Sequence, residues 1–390
     1  MSSTIIQNMN ASVYIHIPFC KARCFYCDFN TYAGKERLLP DYCAALREEI
    51  NRQRGLETEP IHSVYFGGGT PSRLPVDEVG AVMDALREVF RLTDDAEVTF
   101  ELNPCDVTAA YAEGLRGTGV NRVSLGMQSA DPDELKLMGR RHTPEQVGEA
   151  VRTLRAAGFA NISLDLIYGY PTQTLESWEH SLRTACSYGI EHISMYALNV
   201  EEGSALFRQL AAGKLTLPTD DLTVSMYEFA ARFLDANGFD HYEISNWARD
   251  PRYESRHNKQ YWFVAPYYGF GAGAHGWIDR ERVRNTAGIA DYITAVRGNP
   301  GRFPAAAERL PQDRRTETQD VMMLGLRMLH EGITPERFEE RFGEDMNEVF
   351  HRELRHLNQK RLILTDASGR VTLDPAKVPV ANQAFIEFVD

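Results

Sequence analysis

Cysteine is scarce in this sequence, six in 390 residues. So few thiols exclude a disulfide-built scaffold and suit a compartment where thiols stay reduced, so a cytoplasmic protein is expected. Basic charge is also short: 42 Lys and Arg against 55 Asp and Glu leave a formal net charge of -13. That balance excludes a general binder of nucleic acid or anionic membrane, while leaving room for a local basic pocket. Nowhere does the sequence approach the roughly 20 consecutive apolar residues of a membrane span. The opening MSSTIIQNMNAS has neither the basic and apolar regions of a secretory signal nor the arginine-rich character of a transit peptide. What is present is ordinary for a globular protein: 43% hydrophobic, 25% charged and 10% aromatic residues. The length suggests one large domain and a smaller one.

A strand-then-helix pattern repeats six times. β-Branched and aromatic runs predict strands at Ser12–Ile17, Ser63–Phe66, Glu97–Leu102, Arg122–Met127, Asn161–Tyr168 and His192–Leu198. Between them, apolar residues at three- and four-residue intervals predict helices, among them Pro40–Arg54, Val76–Phe90, Pro144–Ala157 and Leu175–Tyr188. Such alternation implies an α/β fold with a parallel sheet, and six units are too few for a closed eight-fold barrel. We therefore expect a partial (β/α)6 barrel or a doubly wound sheet, with chemistry at the carboxyl ends of the strands. After residue 215 the regularity fades into one more helix, Asp220–Asn237, and an aromatic loop region from His241 to Trp277. A boundary near residue 300 separates residues 1–300 from a C-terminal domain, 301–390. Its helices (Thr318–His330, Pro335–Phe342, Asn347–Gln359) and a D-A-S-G turn between two β runs make it helical and winged-helix-like. The acidic chain argues against DNA as its partner.

Three of the six cysteines, Cys20, Cys24 and Cys27, stand together as C-x3-C-x2-C just after the first predicted strand. Cys43, Cys105 and Cys186 are scattered and read as packing residues. Thiolates so grouped suit an iron–sulfur cluster, copper(I) or zinc. A cubane cluster normally takes four cysteines, so three leave one iron open to another ligand. Zinc completed by His16 or a remote histidine is the alternative, though no second paired ligand motif follows. At the end of the second strand, Gly67, Gly68 and Gly69 before Thr70 let backbone approach a ligand without obstruction. Later strand ends each deliver a polar residue: Glu101, Gln128, Arg140 and Asp165. Carboxylates there suit ribose hydroxyls, and an arginine suits a carboxylate.

C-x3-C-x2-C after a first strand, with GGGTP after the second, resembles the radical S-adenosylmethionine (SAM) superfamily. The resemblance implies a [4Fe–4S] cluster held by Cys20, Cys24 and Cys27. It also implies S-adenosyl-L-methionine chelating the open iron, where reductive cleavage gives a 5′-deoxyadenosyl radical. With Y-I-H-I-P-F-C, E-L-N-P, S-L-G-M-Q-S, L-x-L-M-G-R-x-H and D-L-I-Y-G-Y-P, the chain is similar to the branch containing oxygen-independent coproporphyrinogen III oxidase. The match runs from about Val13 to the C-terminus. That branch's cosubstrate contacts fall on Tyr14, Tyr26, Gly68, Gly69, Thr70, Glu101, Gln128, Arg140 and Asp165, with an adenine-side contact near Ala197–Leu198.

The oxidase carries a fourth cysteine two places after the third, where this chain has Phe29, and a longer segment before the motif. Both departures resemble instead the shorter haem chaperones of the same branch, which also carry H-N-x-x-Y-W. That motif stands here at His257, Asn258, Tyr261 and Trp262. By the resemblance these four bind haem: an imidazole for axial ligation, an amide for polar contact and two flat rings against the porphyrin. Arg252 and Arg256 are candidates for the propionates, and His16 and His275 are rival ligands. The expected function is a haem chaperone passing haem to apo-haemoproteins, with acceptors in the respiratory chain, membrane contact only through such a partner and no nucleic acid. The alternative is a radical enzyme acting on a tetrapyrrole, either an oxidative decarboxylase of coproporphyrinogen or a haem-degrading relative. Gly269–Gly273 reads G-x-G-x-G, but it follows an aromatic stretch rather than the first strand of a βαβ unit, so a dinucleotide site is discounted.

Overall fold

The structure, a computed structural model, describes residues 10–389. Residues 1–9 of the stretch read above for targeting lie outside it. Six strands run in chain order, each parallel to the next: β1 (Ala11–Ile17), β2 (Ile61–Gly68), β3 (Leu92–Leu102), β4 (Arg122–Gln128), β5 (Ile162–Tyr168) and β6 (His192–Ala197). The crossovers carry α1 (Leu39–Asn51), α2 (Val76–Val89), α3 (Ala109–Gly117), α4 (Pro144–Ala156) and α5 (Leu175–Ser187). The local causes are plain in α4. Thr143 and Gln146 form a capping box, Pro144 opens the first turn, and Val147, Ala150, Val151 and Leu154 make one buried stripe. After β6 comes α6 (Asp220–Ala236).

The partial barrel is present and its sheet is larger than six strands. The stretch His241–Trp277 is not a loop. It forms β7 (Asp240–Glu243), β8 (Asn246–Ala248), a short helix α7 (Arg256–Trp262), β9 (Tyr267–Phe270) and the start of β10 (His275–Ile278). β9 pairs in parallel with the free edge of β1, from Ser12–Tyr267 to Ile15–Phe270. β10, β11 (Glu281–Asn285) and β12 (Ala306–Pro311) continue antiparallel from it, while β8 and β7 extend the edge at β6. The result is one open sheet of 12 strands. Strands of three or four residues are too short to show alternation in sequence; a neighbouring strand defines them.

The glycines at 269–273 belong to the β9–β10 hairpin. A Cβ on Gly269 would sit 1.9 Å from the carbonyl oxygen of His275, and Gly271 turns at φ +102°. Backbone proximity explains these glycines without a dinucleotide.

Buried Glu49 of α1 fastens this extension to the barrel. Its carboxylate accepts hydrogen bonds from the Gly271 amide (2.8 Å), Asn285 Nδ2 (2.7 Å) and the Tyr292 hydroxyl (2.7 Å). The C-terminal region packs α8 (Arg314–Gly325) with helices Pro335–Phe342 and His351–Gln359 around Phe338, Phe342, Phe350 and Leu357. A hairpin of β13 (Ile363–Thr365) and β14 (Val371–Leu373) follows. The helix expected over Asn347–Gln359 is interrupted at Phe350, which separates Met346–Val349 from His351–Gln359. Buried Arg341 joins this region to the barrel, bonding Glu317 and the carbonyls of Phe263 and Val264.

Because all three partners of Glu49 donate, a glutamine there would turn an amide N–H toward a donor. Glu49→Gln is expected to lower stability by about 1–3 kcal/mol, measured by urea denaturation at pH 8; a midpoint equal to wild type would contradict the role given to this carboxylate.

Candidate functional site

The carboxyl ends of β1–β6 open into a cavity of about 450 Å³, within the size range of small-molecule sites. Cys20, Cys24 and Cys27 line it, on a loop that is tied down along its length. Phe19–Cys20 pairs with Tyr32–Ala33, and the Tyr32 amide donates to the Pro18 carbonyl (2.7 Å). His16 Nε2 bonds the Asn30 carbonyl (2.9 Å), and Asn30 Nδ2 donates to the carbonyls of Ala272 and Ala287. In the middle of the loop, the Phe25 amide donates to Met138 and the Phe25 carbonyl accepts from Leu206. Burial pushes the Cys20 and Cys27 thiols up. Among the described residues, no three His, Cys, Asp or Glu side chains are arranged to hold a single metal ion. All three cysteines line the same cavity.

Other expected contacts surround the same space: Tyr26, Gly68, Gly69, Thr70, Glu101, Gln128, Arg140 and Asp165, with Ala197 and Leu198. Gly68 turns at φ +107°, and a Cβ there would fall 2.5 Å from the His16 ring. On Gly69 a Cβ would meet the Ile17 carbonyl at 2.7 Å. This cradle is bare backbone by necessity. Gln128 ends β4 at φ +66°, an unusual conformation for a non-glycine residue and one found at binding sites. Arg140 donates to the Gly126 carbonyl (2.7 Å) and to Cys24 Sγ (3.5 Å), while its buried Nε has no partner. Tyr14 does not line the cavity; its hydroxyl bonds His16 Nδ1 (3.1 Å), and its ring flanks Gly67 from beneath.

Two carboxylates share the interior. Glu101 accepts from the Tyr65 hydroxyl (2.8 Å) and Asp165 from the Ser124 hydroxyl (2.9 Å). Burial, and then the charge of Asp165, raise Glu101 to about 7; burial also raises Asp165. Three thiols, a glycine cradle, an arginine with an unused N–H and two carboxylates fit a cluster with a zwitterionic, sulfonium-bearing cosubstrate. Sequence reasoning missed Tyr65, Arg122, Ser124, Ser194 and Tyr196, which also line the cavity. The two-residue period of the strand, which puts Ser124, Gly126 and Gln128 on one side, was the available signal for Ser124.

The H-N-x-x-Y-W residues are not brought together as an open face for haem. His257 is 1% exposed. Its Nδ1 bonds Ser63 Oγ (3.0 Å) and its Nε2 the Tyr261 hydroxyl (2.8 Å), so neither ring nitrogen is free for an axial bond. Burial pushes this imidazole down to about 3, which keeps it neutral. Tyr261 packs edge-on against Tyr267, and the Arg327 guanidinium covers the Trp262 ring at 4.0 Å. Asn258 alone of the four lines the main cavity. Arg256 is paired with Asp95 (2.8 Å) rather than turned toward a propionate site. Of the rival ligands, His16 has both nitrogens engaged and His275 is exposed at the start of β10.

Comparison with known proteins agrees with this geometry. A Radical SAM superfamily model matches residues 14–185, and a HemN C-terminal domain model matches residues 312–377. The chain is 35% identical over 380 residues to "Heme chaperone HemW" of Bacillus subtilis, covering 97% of this chain and 99% of the relative. It is 38% identical over 367 residues to the Mycobacterium tuberculosis protein of that name, covering 93% and 92% respectively. The solved structure of coproporphyrinogen III oxidase (HemN) from Escherichia coli, a radical SAM enzyme, superposes with a TM-score of 0.83 at 22% identity, over 98% of this chain and 90% of that one. That likeness is one of fold.

The raised Glu101 fixes a pH dependence. A carboxyl lifted from 4.5 to about 7 contributes stability that is fully present below 4.5 and lost as pH rises through about 7. The ligand-free Glu101→Gln protein should therefore gain melting temperature relative to wild type between pH 5.5 and pH 8, by differential scanning calorimetry. A constant difference across that range would contradict the assignment.

Proposed function

Because the chain belongs to the radical SAM superfamily, in the family of the heme chaperone HemW proteins, we propose that it is a haem chaperone. Haem is its cargo, received from the cell's pool and passed to apo-haemoproteins, those of the respiratory chain among them, in the cytoplasm. Curated HemW relatives that match almost the whole chain carry this reading. Phe29 supports it: it stands, 62% exposed, where the oxidase has its fourth cysteine.

In this reading Cys20, Cys24 and Cys27 hold a [4Fe–4S] cluster, and the cavity beside them takes SAM. The bound cluster supplies one-electron chemistry at the sulfonium. The chain's own residues do the rest. Gly68, Gly69 and Thr70 leave backbone open to the ligand, and Arg140 offers its spare N–H to a carboxylate. Glu101 and Asp165 offer negative charge and acceptors to the cationic and hydroxyl-bearing parts, helped by Tyr26 and Gln128. Residues 1–300 serve as the cofactor-bearing unit and 301–390 as the appended one. The H-N-x-x-Y-W side chains, turned inward, are left out of the cargo site.

The test pairs two assays on anaerobically reconstituted protein. Haem titrated into one sample should give a saturable Soret band at a fixed stoichiometry. Coproporphyrinogen III with SAM and reductant in the other should yield no protoporphyrinogen. Turnover to the vinyl product, or no saturable haem uptake, would overturn the chaperone reading.

A further inference from the structure

α7 enters the barrel from the end opposite the cysteines. His257 bonds Ser63, near the start of β2, and the amides of Arg256 and His257 donate to Glu97, near the middle of β3 (3.3 Å each). The glycine cradle lies five residues further along β2, roughly 16 Å at 3.3 Å per residue. Around the imidazole the contacts are closed. Tyr65 stacks on it at 5.0 Å and Tyr14 lies tilted to it at 6.2 Å, Ser63 is itself bonded to Ser12 (2.6 Å), and Tyr261 takes the second nitrogen. Tyr65 in turn donates to Glu101. The histidine is thus one contact removed from a carboxylate of the cavity.

Asn258 is the next residue and faces the cavity that Glu101, Asp165 and Tyr196 share. Its backbone N–H bonds Ser255 Oγ, and its side-chain amide makes no hydrogen bond to any described residue. An amide carrying two donors and an acceptor, left unpaired in a cavity that it shares with the carboxylates of Glu101 and Asp165, is a binding group waiting for a ligand.

We infer that the H-N-x-x-Y-W helix is the floor of the cofactor cavity rather than a haem-ligating face. Asn258 is a binding residue for the cavity's ligand, and His257 is the positioning residue that holds it there. The ligand class is a small molecule bearing hydroxyl and amine groups, and SAM is the one the family supplies, so the inference rests on the cluster-and-SAM reading above. His257 acts by wedging α7 between Ser63 and the Tyr65 ring; Tyr261 closes the wedge.

The experiment measures SAM affinity by calorimetry on the cluster-loaded full chain, with haem uptake by Soret titration and melting temperature on the same preparations. Wild type is the control for the family reading: absent SAM binding in wild type refutes that reading, and with it this inference. With wild type binding, Asn258→Ala should weaken SAM about 3- to 10-fold, the loss of one or two ligand hydrogen bonds. Its haem titration should be unchanged. His257→Ala should weaken SAM to a similar extent, and the double variant should be no weaker than either single one, because removing the wedge already misplaces the amide. His257→Gln, which keeps polar atoms near both partners, and Tyr261→Phe should fold where the alanine variant does not, and should retain haem uptake. SAM affinity in Asn258→Ala equal to wild type overturns the assignment of Asn258. Loss of the Soret band in folded His257→Gln or Tyr261→Phe overturns the inward role and restores the motif to haem.

Discussion

Two carboxylates held in one cavity are the constraint on which the site depends. Glu101 stands near the end of β3 and Asp165, expected at a strand end, midway along β5, each bonded to a hydroxyl, Tyr65 or Ser124, rather than to a cation. Arg122 and Arg140 ease the charge on Asp165 from a distance. Burying charge without a partner is costly, and here the cost follows from keeping the space open. The cavity is therefore poised for a ligand that brings positive charge and hydroxyl groups, and the unused Nε of Arg140 awaits the opposite charge. A zwitterion satisfies both ends.

The rest of the fold serves to hold that geometry. The cysteine loop could not hold a cluster as a free strand-end loop. It is bound at its base by the Phe19–Tyr32 pairing, at its middle by Phe25, and at its far side by Asn30. Asn30 reaches the β9–β10 turn and the segment after β11, so the sheet extension is part of the loop's mounting. Glu49 secures that extension to α1. A chain of contacts thus runs from a helix on the outside of the barrel to the three thiols.

Much of this was legible in sequence because the signals were local. Thr143-Pro144 announces a helix start and Gly67-Gly68-Gly69 a bare cradle. Cys20, Cys24 and Cys27 declare themselves by spacing. What escaped were features fixed by tertiary contact. β9 is four residues of aromatic character, and only the open edge of β1 makes it a strand. His257 has the right chemistry for an axial ligand; its neighbours in space, Ser63 and Tyr261, consume both nitrogens. Tyr65 and Tyr196 look like core residues along the chain and turn out to face the cavity. Motif chemistry shows what a residue can do, and packing decides whether it is free to do it.

Relatives that match almost the whole chain are named heme chaperones, so the central claim is that haem is passed on to an acceptor. The most direct measurement is the rate of haem transfer from the loaded protein to an apo-haemoprotein, followed by the shift of the Soret band. Active transfer predicts a rate that rises with acceptor concentration and exceeds spontaneous haem loss to a passive scavenger. A rate independent of acceptor and equal to that loss would contradict the account.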